Sequence, residues 1–226
     1  NRLSDGLEQL GRVAGYAADA SLDMSEARVK NADVEYQAKA QPILARYSSL
    51  EGREAIDAYD GTAKELKALR DGFAGQIKPF ERGMFEARVG SRNQLDLANL
   101  DIHRTKQAKK YNFDMTQASA GAAQEGAISS YLNGDTDGFN SNMMMLSSET
   151  RAMARLQGLD GVAAESMVLK NRSAVHKQVL SDMLTREDVD GAKAYEEKYR
   201  GDMLGSDRVD IQRAMQPAIE LRAANT

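Results

Sequence analysis

Apolar residues recur every three or four positions along most of the chain, a spacing that places them on one face of an α-helix. Strict alternation of apolar and polar residues, which is typical of half-buried strands, is hard to find. The stretches between the three prolines are rich in Ala, Leu, Glu, Lys, Gln, Arg and Met, which favour helix. The sequence therefore predicts an all-α protein.

A long first helix is predicted from about Asp5 to Tyr47. Pro42 lies near its end and is expected either to kink the helix or to split it in two. The apolar stripe assigned to this helix comprises Leu7, Leu10, Ala14, Ala17, Ala18, Leu22, Ala27, Val34 and Ala38. Such a stripe needs a neighbouring helix to cover it.

The next segment is predicted as a turn followed by a short helix over residues 48–58. A separate helix is predicted from Thr62 onward. Gly72 and Gly75 are expected to end that helix ahead of Pro79, because glycine is a poor helix former.

A second long helix is predicted from about Phe80 to Leu132. Its apolar positions include Phe85, Val89, Leu95, Ile102, Tyr111 and Met115. Residues 118–127 of this helix are almost all Ala, Gly and Ser. Small side chains allow a short distance between helix axes, so this part is predicted to lie close against another helix.

Shorter helices are predicted in the rest of the chain. Their approximate bounds are 139–157, 161–184, 185–199 and 206–223. The last of them carries apolar residues at Val209, Ala214, Met215, Ile219 and Leu221. This change predicts two regions, long amphipathic helices in an extended bundle over residues 1–132 and helical hairpins over residues 133–226.

Two of these helix starts have predicted capping residues. Thr185 with Asp188 fits a capping box ahead of the short helix that ends near Tyr199. Either Ser206 or Asp207 is expected to cap the last helix, because Ser and Asp side chains accept hydrogen bonds from the first amides.

Composition favours long helices with narrow contact seams over a thick globular core. Hydrophobic residues make up 42% of the 226 residues, but aromatic residues only 6%, and there is no Trp. Ala and Met supply much of the apolar volume, and small side chains bury little area each.

Several classes of site and function are made improbable by the residue types present. The absence of Cys excludes disulfides and thiolate metal sites, and two His residues make a multi-histidine site improbable. A net charge of −4 argues against a dedicated nucleic-acid binder, and no apolar run approaches the length of a membrane span. No phosphate-cradling glycine loop, zinc-binding His pair or serine elbow is present. We therefore predict a non-enzymatic protein with no catalytic, cofactor-binding or metal-binding residues.

One turn has a partial resemblance to a calcium loop. Asn133, Asp135, Asp137 and Gly138 match its first six positions, but the twelfth position, which needs a bidentate Glu, is Met144. Asn, Gly and Asp also favour ordinary tight turns, and a plain turn between helices is the preferred interpretation.

Cationic and histidine residues offer two weaker candidates. His103 lies near Arg104, Lys106, Lys109 and Lys110, which could contact phosphate but are more typical of a solvated helix face. A second histidine, at position 176, has no carboxylate or nucleophile beside it in a recognisable catalytic arrangement.

The run Met143-Met-Met-Leu146 is either part of a core or an adaptable contact surface. Three successive residues cannot share one face of a helix. At least one Met is therefore expected in the core, and others are expected to face a second neighbour or water.

A series of landmarks from about Tyr47 onward resembles the internal virion proteins, or DNA-ejection proteins, of short-tailed bacteriophages. The landmarks are Leu50-Glu-Gly52-Arg-Glu-Ala55, Leu66-x-x-Leu69-Arg70 and Phe80–Phe85, then Arg92, His103, Gln107 and Tyr111 on one long helix, and later Leu156-Gln-Gly158, Ser173-Ala-Val-His176 and Asp190-Gly-Ala-Lys-Ala-Tyr195. The resemblance lies in helices and spacing and includes no catalytic motif.

The resemblance implies a protein that is packed inside the capsid above the portal and leaves the particle during infection. Such proteins reassemble in the host envelope, where a ring or tube conducts DNA across the periplasm. The implied partners are further copies of the chain, other ejection proteins, the portal, passing double-stranded DNA and the host envelope. Some relatives carry a peptidoglycan-cleaving domain, for which this sequence offers no candidate.

Two other hypotheses stay open. The chain could be a helical scaffold or adaptor, or another virion structural protein associated with the tail or portal. A cell-wall hydrolase would need a catalytic Glu in a cleft, and no acidic pair stands out from the 34 acidic residues.

Overall fold

The computed structural model describes the backbone of residues 2–224 and the side chains of residues 12–217, 219 and 220. Over this part of the chain the fold is all-α, with seven α-helices and no strand. The helices are α1 (Arg2–Ser48), α2 (Gly52–Gln76), α3 (Pro79–Leu132), α4 (Thr136–Leu156), α5 (Gly161–Thr185), α6 (Val189–Tyr199) and α7 (Gly205–Ala224), with a short 3₁₀ turn at Arg200–Asp202. The predicted fold class is confirmed.

The described chain falls into two compact units, Asn1–Lys110 and Tyr111–Thr226. We call them the first unit and the second unit. Their division lies inside α3, whereas the sequence placed a boundary between residues 132 and 133, which is where α3 ends.

The helix bounds in the first unit correct two sequence predictions. Pro42 does not split α1, which continues through it to Ser48. The short helix over 48–58 and the helix from Thr62 are one continuous α2. It contains Gly72 and Gly75 and ends at Gln76, one residue after Gly75 and ahead of Pro79 as predicted. These glycines are tolerated because α2 is held by its buried side chains, and packing outweighs local helix propensity.

The core of the first unit is a single seam shared by three helices. Its buried residues are Val29, Tyr36, Ala40 and Tyr47 from α1, Leu66, Phe73 and Ala74 from α2, and Phe85, Val89 and Leu100 from α3. Tyr36 meets the ring of Phe73 edge-on with their centroids 6.2 Å apart. The seam residues of α1 are seven, four and seven positions apart, a spacing found in helices that pack side by side.

The predicted apolar stripe of α1 is wrong. Ala27, Val34 and Ala38 are exposed, whereas the buried seam runs through Val29, Tyr36 and Tyr47 on the opposite face. Leu22 shares the face of the seam but is exposed, because it precedes the first buried residue, Ser25. The larger side chains form the core because they bury more apolar area. Leu7, Leu10 and, in the last helix, Leu221 lie outside the residues whose side chains are described.

Ion pairs between buried carboxylates and partly exposed arginines align α1 and α3 beside this seam. Asp33 is 4% exposed and accepts hydrogen bonds from Arg92 at 2.6 Å and Arg88 at 3.1 Å. Glu81 is buried and paired with Arg28, whose Nε donates at 2.9 Å. Both contacts fix the register of α1 along α3.

The second unit packs around the small-residue part of α3. Ala120, Ala123 and Ala127 are buried with Phe139, Met143 and Leu146 of α4, among others. At Gly126 a Cβ atom would come within 2.8 Å of the Asn142 side chain. The predicted close approach of another helix to residues 118–127 is confirmed, and that helix is α4.

Helix caps in the second unit correct the two predicted starts. The cap of α6 is Asp188, whose carboxylate accepts from the Gly191 amide at 2.9 Å, while Thr185 is the last residue of α5. Helix α7 already begins at Gly205, and Asp207 instead accepts hydrogen bonds from Ser173 and Lys177 of α5.

Candidate functional site: exposed apolar helix faces

The N-terminal part of α1 extends past the helices that cover it. All described side chains from residue 12 to residue 24 are exposed, and Ser25 is the first buried one. Arg28 pairs with Glu81 near the start of α3. The connection between the end of α2 and the start of α3 therefore lies beside the part of α1 around Arg28. The side chains of residues 13–24 are therefore not covered by the other helices of the first unit.

Apolar residues line the outer side of α1, interrupted by the exposed Asn31. They are Val13, Tyr16, Ala17, Ala20, Met24, Ala27, Val34 and Ala38, and all are exposed. We call this set the α1 outer face. Because successive helix residues turn by about 100°, it lies roughly opposite the buried seam and spans about 38 Å.

A second apolar face runs along the outer side of α3 in the first unit. Its members are Phe80, Met84, Ala87, Ser91, Leu95, Ala98 and Ile102, and all are exposed. We call this set the α3 outer face. Phe80 and Leu95 are each 61% exposed. The face spans about 33 Å and also lies opposite the residues that α3 buries.

The apolar residues predicted for α3 therefore belong to two different faces. Phe85 and Val89 are fully buried, whereas Leu95 and Ile102 are more than half exposed. Sequence reasoning treated them as one set. Plotting each residue by its angle around the helix would have separated the two stripes.

Both helix segments that carry these faces hold more carboxylates than cations. Residues 13–38 of α1 hold five carboxylates and two cations, and residues 80–102 of α3 hold four carboxylates and three cations. Several of these charges pair internally, including Arg28 with Glu81 and Asp33 with Arg88. Asp19, Asp23 and Glu26 of α1 stay exposed, as do Lys106 and Lys109 of α3.

The residues of the calcium-like turn cap the start of helix α4. Asp135 accepts a hydrogen bond from the Gly138 amide at 2.9 Å, and Gly134 has a φ of 76°, which favours glycine. A Cβ at residue 138 would lie 2.0 Å from the Asp135 carboxylate, so this cap also requires glycine there. Among the described residues no three His, Asp or Glu side chains are grouped so as to hold a metal ion.

His103 fastens a loop and is not grouped with the lysines that follow it. Its Nε2–H donates to the Leu50 carbonyl at 2.9 Å, and its ring packs on Tyr47. Gln107, one turn later, accepts from the Gly52 amide at 2.8 Å. These contacts hold the α1–α2 connection against α3, while Lys106 and Lys109 face solvent.

His176 is fully buried in an aromatic cluster of the second unit. The rings of Phe139, Tyr195 and Tyr199 lie 4.9–6.0 Å from its own. Its Nδ1 is 2.8 Å from the Tyr195 hydroxyl, and its Nε2 is 4.0 Å from the Asp202 carboxylate. Burial lowers the pKa of His176 to about 4, so the imidazole is neutral at pH 7. It is a packing residue.

The methionine run has the predicted division between core and surface. Met143 and Leu146 are buried, whereas Met144 is 75% exposed and Met145 is 46% exposed. Met144 borders a groove between α4 and α5 that Ser147, Arg151 and Arg172 also line.

Comparisons with models of protein families, with characterised proteins and with solved structures find no match for this chain. Within the described residues, no helix combines the length and the apolar character that crossing a bilayer requires.

Proposed function

We propose that this protein is a non-enzymatic structural component of a bacteriophage virion, which self-assembles into a ring or tube that conducts DNA across the host envelope. It would reside inside the capsid, meet the portal and other ejection proteins there, and act later in the host envelope or periplasm. The observation that carries the proposal is the presence of two long exposed apolar faces, on α1 and on α3, within one compact unit.

Exposed apolar area of this kind supports self-assembly. Scattered exposed apolar residues are ordinary on soluble proteins, but contiguous ones commonly mark contact surfaces. Val13, Met24 and Val34 follow one line along α1, and Leu95 and Ile102 follow another along α3. Association of copies would remove both lines from water.

The internal construction suits a protein that must rearrange on leaving a particle. The chain contains no Cys, so no disulfide holds it closed. The core of the first unit is one seam of side chains that three helices share. Helices held in this way can separate and rebury their apolar stripes against other copies, because stability scales with buried apolar area.

Electron microscopy of the purified protein over a range of concentrations tests the proposal. We expect closed rings or tubes with a central opening wide enough for a DNA duplex, and particle size that increases with concentration. A compact monomer at every concentration would remove the conduit and leave only the fold.

An adaptor that binds one protein partner is the second candidate. The observation that favours it is the exposed pair Met144 and Met145 beside the groove lined by Arg151 and Arg172, since Met adapts to varied partners. A monomer that forms a one-to-one complex through this groove would favour the adaptor over the conduit.

A further inference from the structure

We propose that the groove between α2 and α3 in the first unit binds an adenine nucleotide, either free or as part of a single strand. The groove has a volume of about 470 Å³, which lies within the usual range of small-molecule sites. Its α2 side is mostly charged, and its α3 side contributes an amide and an apolar side chain. The inference goes beyond the proposed function and does not depend on self-assembly.

A buried amide lies on the inner wall of this groove. Asn93 is 2% exposed, and its Oδ1 has no hydrogen-bond partner among the described residues. Burying an unpaired acceptor costs free energy of folding, and most buried polar groups in proteins are paired. A leucine of similar size would avoid that cost. The amide therefore points to a partner from outside the chain.

Two lysines at the mouth of the groove are available to an anion. Lys64 and Lys67 are exposed and have no ion pair among the described residues, although Asp60 in the same lining is one turn from Lys64. Arg70, the third cation of the lining, is instead paired with Asp71 at 2.8 Å. Lys64 and Lys67 are three positions apart and share one side of α2, so both can reach one phosphate.

The lining matches an adenine nucleotide better than a bare anion. A carboxamide pairs with adenine through two hydrogen bonds, accepting from the exocyclic amine and donating to a ring nitrogen. Ala63 and Leu97 offer apolar contact to the ring, and the Asp60 carboxylate can accept from the sugar hydroxyls. The base then reaches the buried Asn93 while the phosphate stays at the exposed lysines. Inorganic phosphate would leave the amide unpaired.

Calorimetric titration of the full chain with AMP, and separately with adenosine and with inorganic phosphate, tests the proposal. We expect AMP to bind at least about tenfold more tightly than either half, because one site holds both the base and the phosphate. A single-stranded oligoadenylate is the third probe. If it binds no more tightly than AMP, the ligand is a free nucleotide, and if it binds more tightly, the ligand is a strand.

Lys64→Gln with Lys67→Gln removes the phosphate contacts. This pair of substitutions should weaken AMP binding by about tenfold or more, and should leave the adenosine affinity and the thermal midpoint unchanged. The matched control is Lys106→Gln with Lys109→Gln, which removes two exposed lysines of α3 at the same spacing. The control should bind AMP like the unchanged chain.

Asn93→Leu separates a binding role from a structural one. Because the Oδ1 of Asn93 is buried and unpaired among the described residues, leucine should raise the thermal midpoint of the ligand-free chain. It should also abolish the preference for AMP over phosphate. A lower midpoint with unchanged AMP affinity would show that Asn93 serves the fold and overturn the proposal. If Asn93→Leu fails to fold, the lysine variants decide.

Three further results would overturn the proposal. They are no AMP binding at millimolar concentrations, equal affinity for AMP and phosphate, and an equal loss of AMP affinity in the two pairs of lysine variants. Assembly is measured separately by electron microscopy. A chain that never assembles therefore removes the conduit and leaves this site standing, and a chain that assembles without binding AMP does the reverse.

Discussion

The imidazole of His176 makes the second unit sensitive to pH. It is fully buried, and the charged groups that face it are Asp202, 4.0 Å from Nε2, and Arg172, which pairs with Asp202 at 2.6 Å. Because Nε2 faces the carboxylate, the proton is best placed on Nε2, and Nδ1 then accepts from the Tyr195 hydroxyl. Burial raises the pKa of that hydroxyl, which is therefore a donor at neutral pH.

We predict that the free energy of unfolding falls as the pH is lowered from 6.5 to 4. The unfolded imidazole titrates near 6.5, whereas burial lowers the folded pKa to about 4. Across this window the unfolded chain binds more protons, so stability that is present above pH 6.5 is lost, to a total of about 3 kcal/mol. Urea unfolding followed by circular dichroism at several pH values measures the slope.

His176→Phe should flatten this slope while lowering stability at pH 7, because it leaves the Tyr195 hydroxyl without its partner. The matched control is His103→Gln, which changes the other histidine and should keep the slope. If the pH dependence persists in His176→Phe, other titrating groups must cause it.

The environment of Asp33 allows a prediction of how much this residue contributes to stability. Burial alone raises the pKa of Asp33, but hydrogen bonds from Gln37, Arg88 and Arg92 and the charge of Arg92 bring it below its ordinary value. We predict that Asp33→Asn lowers the free energy of unfolding by about 1–2 kcal/mol, since the two arginines are partly exposed and can be rehydrated. Denaturant titration gives the change.

Asp57→Asn is the control for that substitution. It removes the exposed pair between Arg53 and Asp57 within α2, which should alter stability by less than about 0.5 kcal/mol. Equal effects of the two substitutions would contradict a special role for Asp33.

At the scale of elements, two glycines of α3 give opposite expectations for the same substitution. Around Gly121 nothing lies within 4 Å of an added Cβ, so Gly121→Ala should stabilise the helix by about 0.5–1 kcal/mol. At Gly126 the added atom would displace Asn142, which donates to the Gly138 carbonyl at 2.9 Å. Gly126→Ala should therefore be less stable than Gly121→Ala by about 1 kcal/mol, as measured by thermal unfolding. Equal midpoints would argue against close packing of α3 on α4.

The sequence was enough to predict a helix where strong helix breakers flank a segment with helical periodicity. Helix α3 begins within one residue of its predicted start and ends at its predicted end, because Pro79 and Asn133-Gly134 mark the two limits. The segment of α2 was predicted as two helices, with Gly72 and Gly75 at the end of the second, because glycine locally disfavours helix. Only the packing of Leu66 and Phe73 into the core overrides that preference.

The choice of buried face could not be predicted, for a physical reason. Helix α1 has apolar residues on two opposite faces, and periodicity alone does not say which of them a partner covers. Val34 and Tyr36 are two positions apart and lie on different faces, one exposed and one buried. Four residues of the exposed α1 outer face belong to the apolar stripe that the sequence predicted: Ala17, Ala27, Val34 and Ala38.

At the scale of the whole molecule, the division inside α3 predicts which fragments fold. Both cores of the second unit draw only on residues after 110, including Ala120, Ala123 and Ala127. We predict that a fragment of residues 111–226 unfolds cooperatively in calorimetry, whereas residues 133–226 alone do not, because they lack the α3 side chains that cover α4. Equal cooperativity of the two fragments would favour the boundary between residues 132 and 133.

The aromatic cluster around His176 also has an optical consequence. The chain has eight tyrosines and no tryptophan, and the rings of Tyr131, Tyr195 and Tyr199 lie 4.6–6.5 Å apart. At such separations, light energy absorbed by one phenol passes readily to an indole nearby. A single tryptophan in place of Phe139, whose ring is 5.3 Å from that of Tyr131, would collect this energy. Its fluorescence would then report the opening of the second unit alone, even while the first unit stays closed or joins a larger assembly.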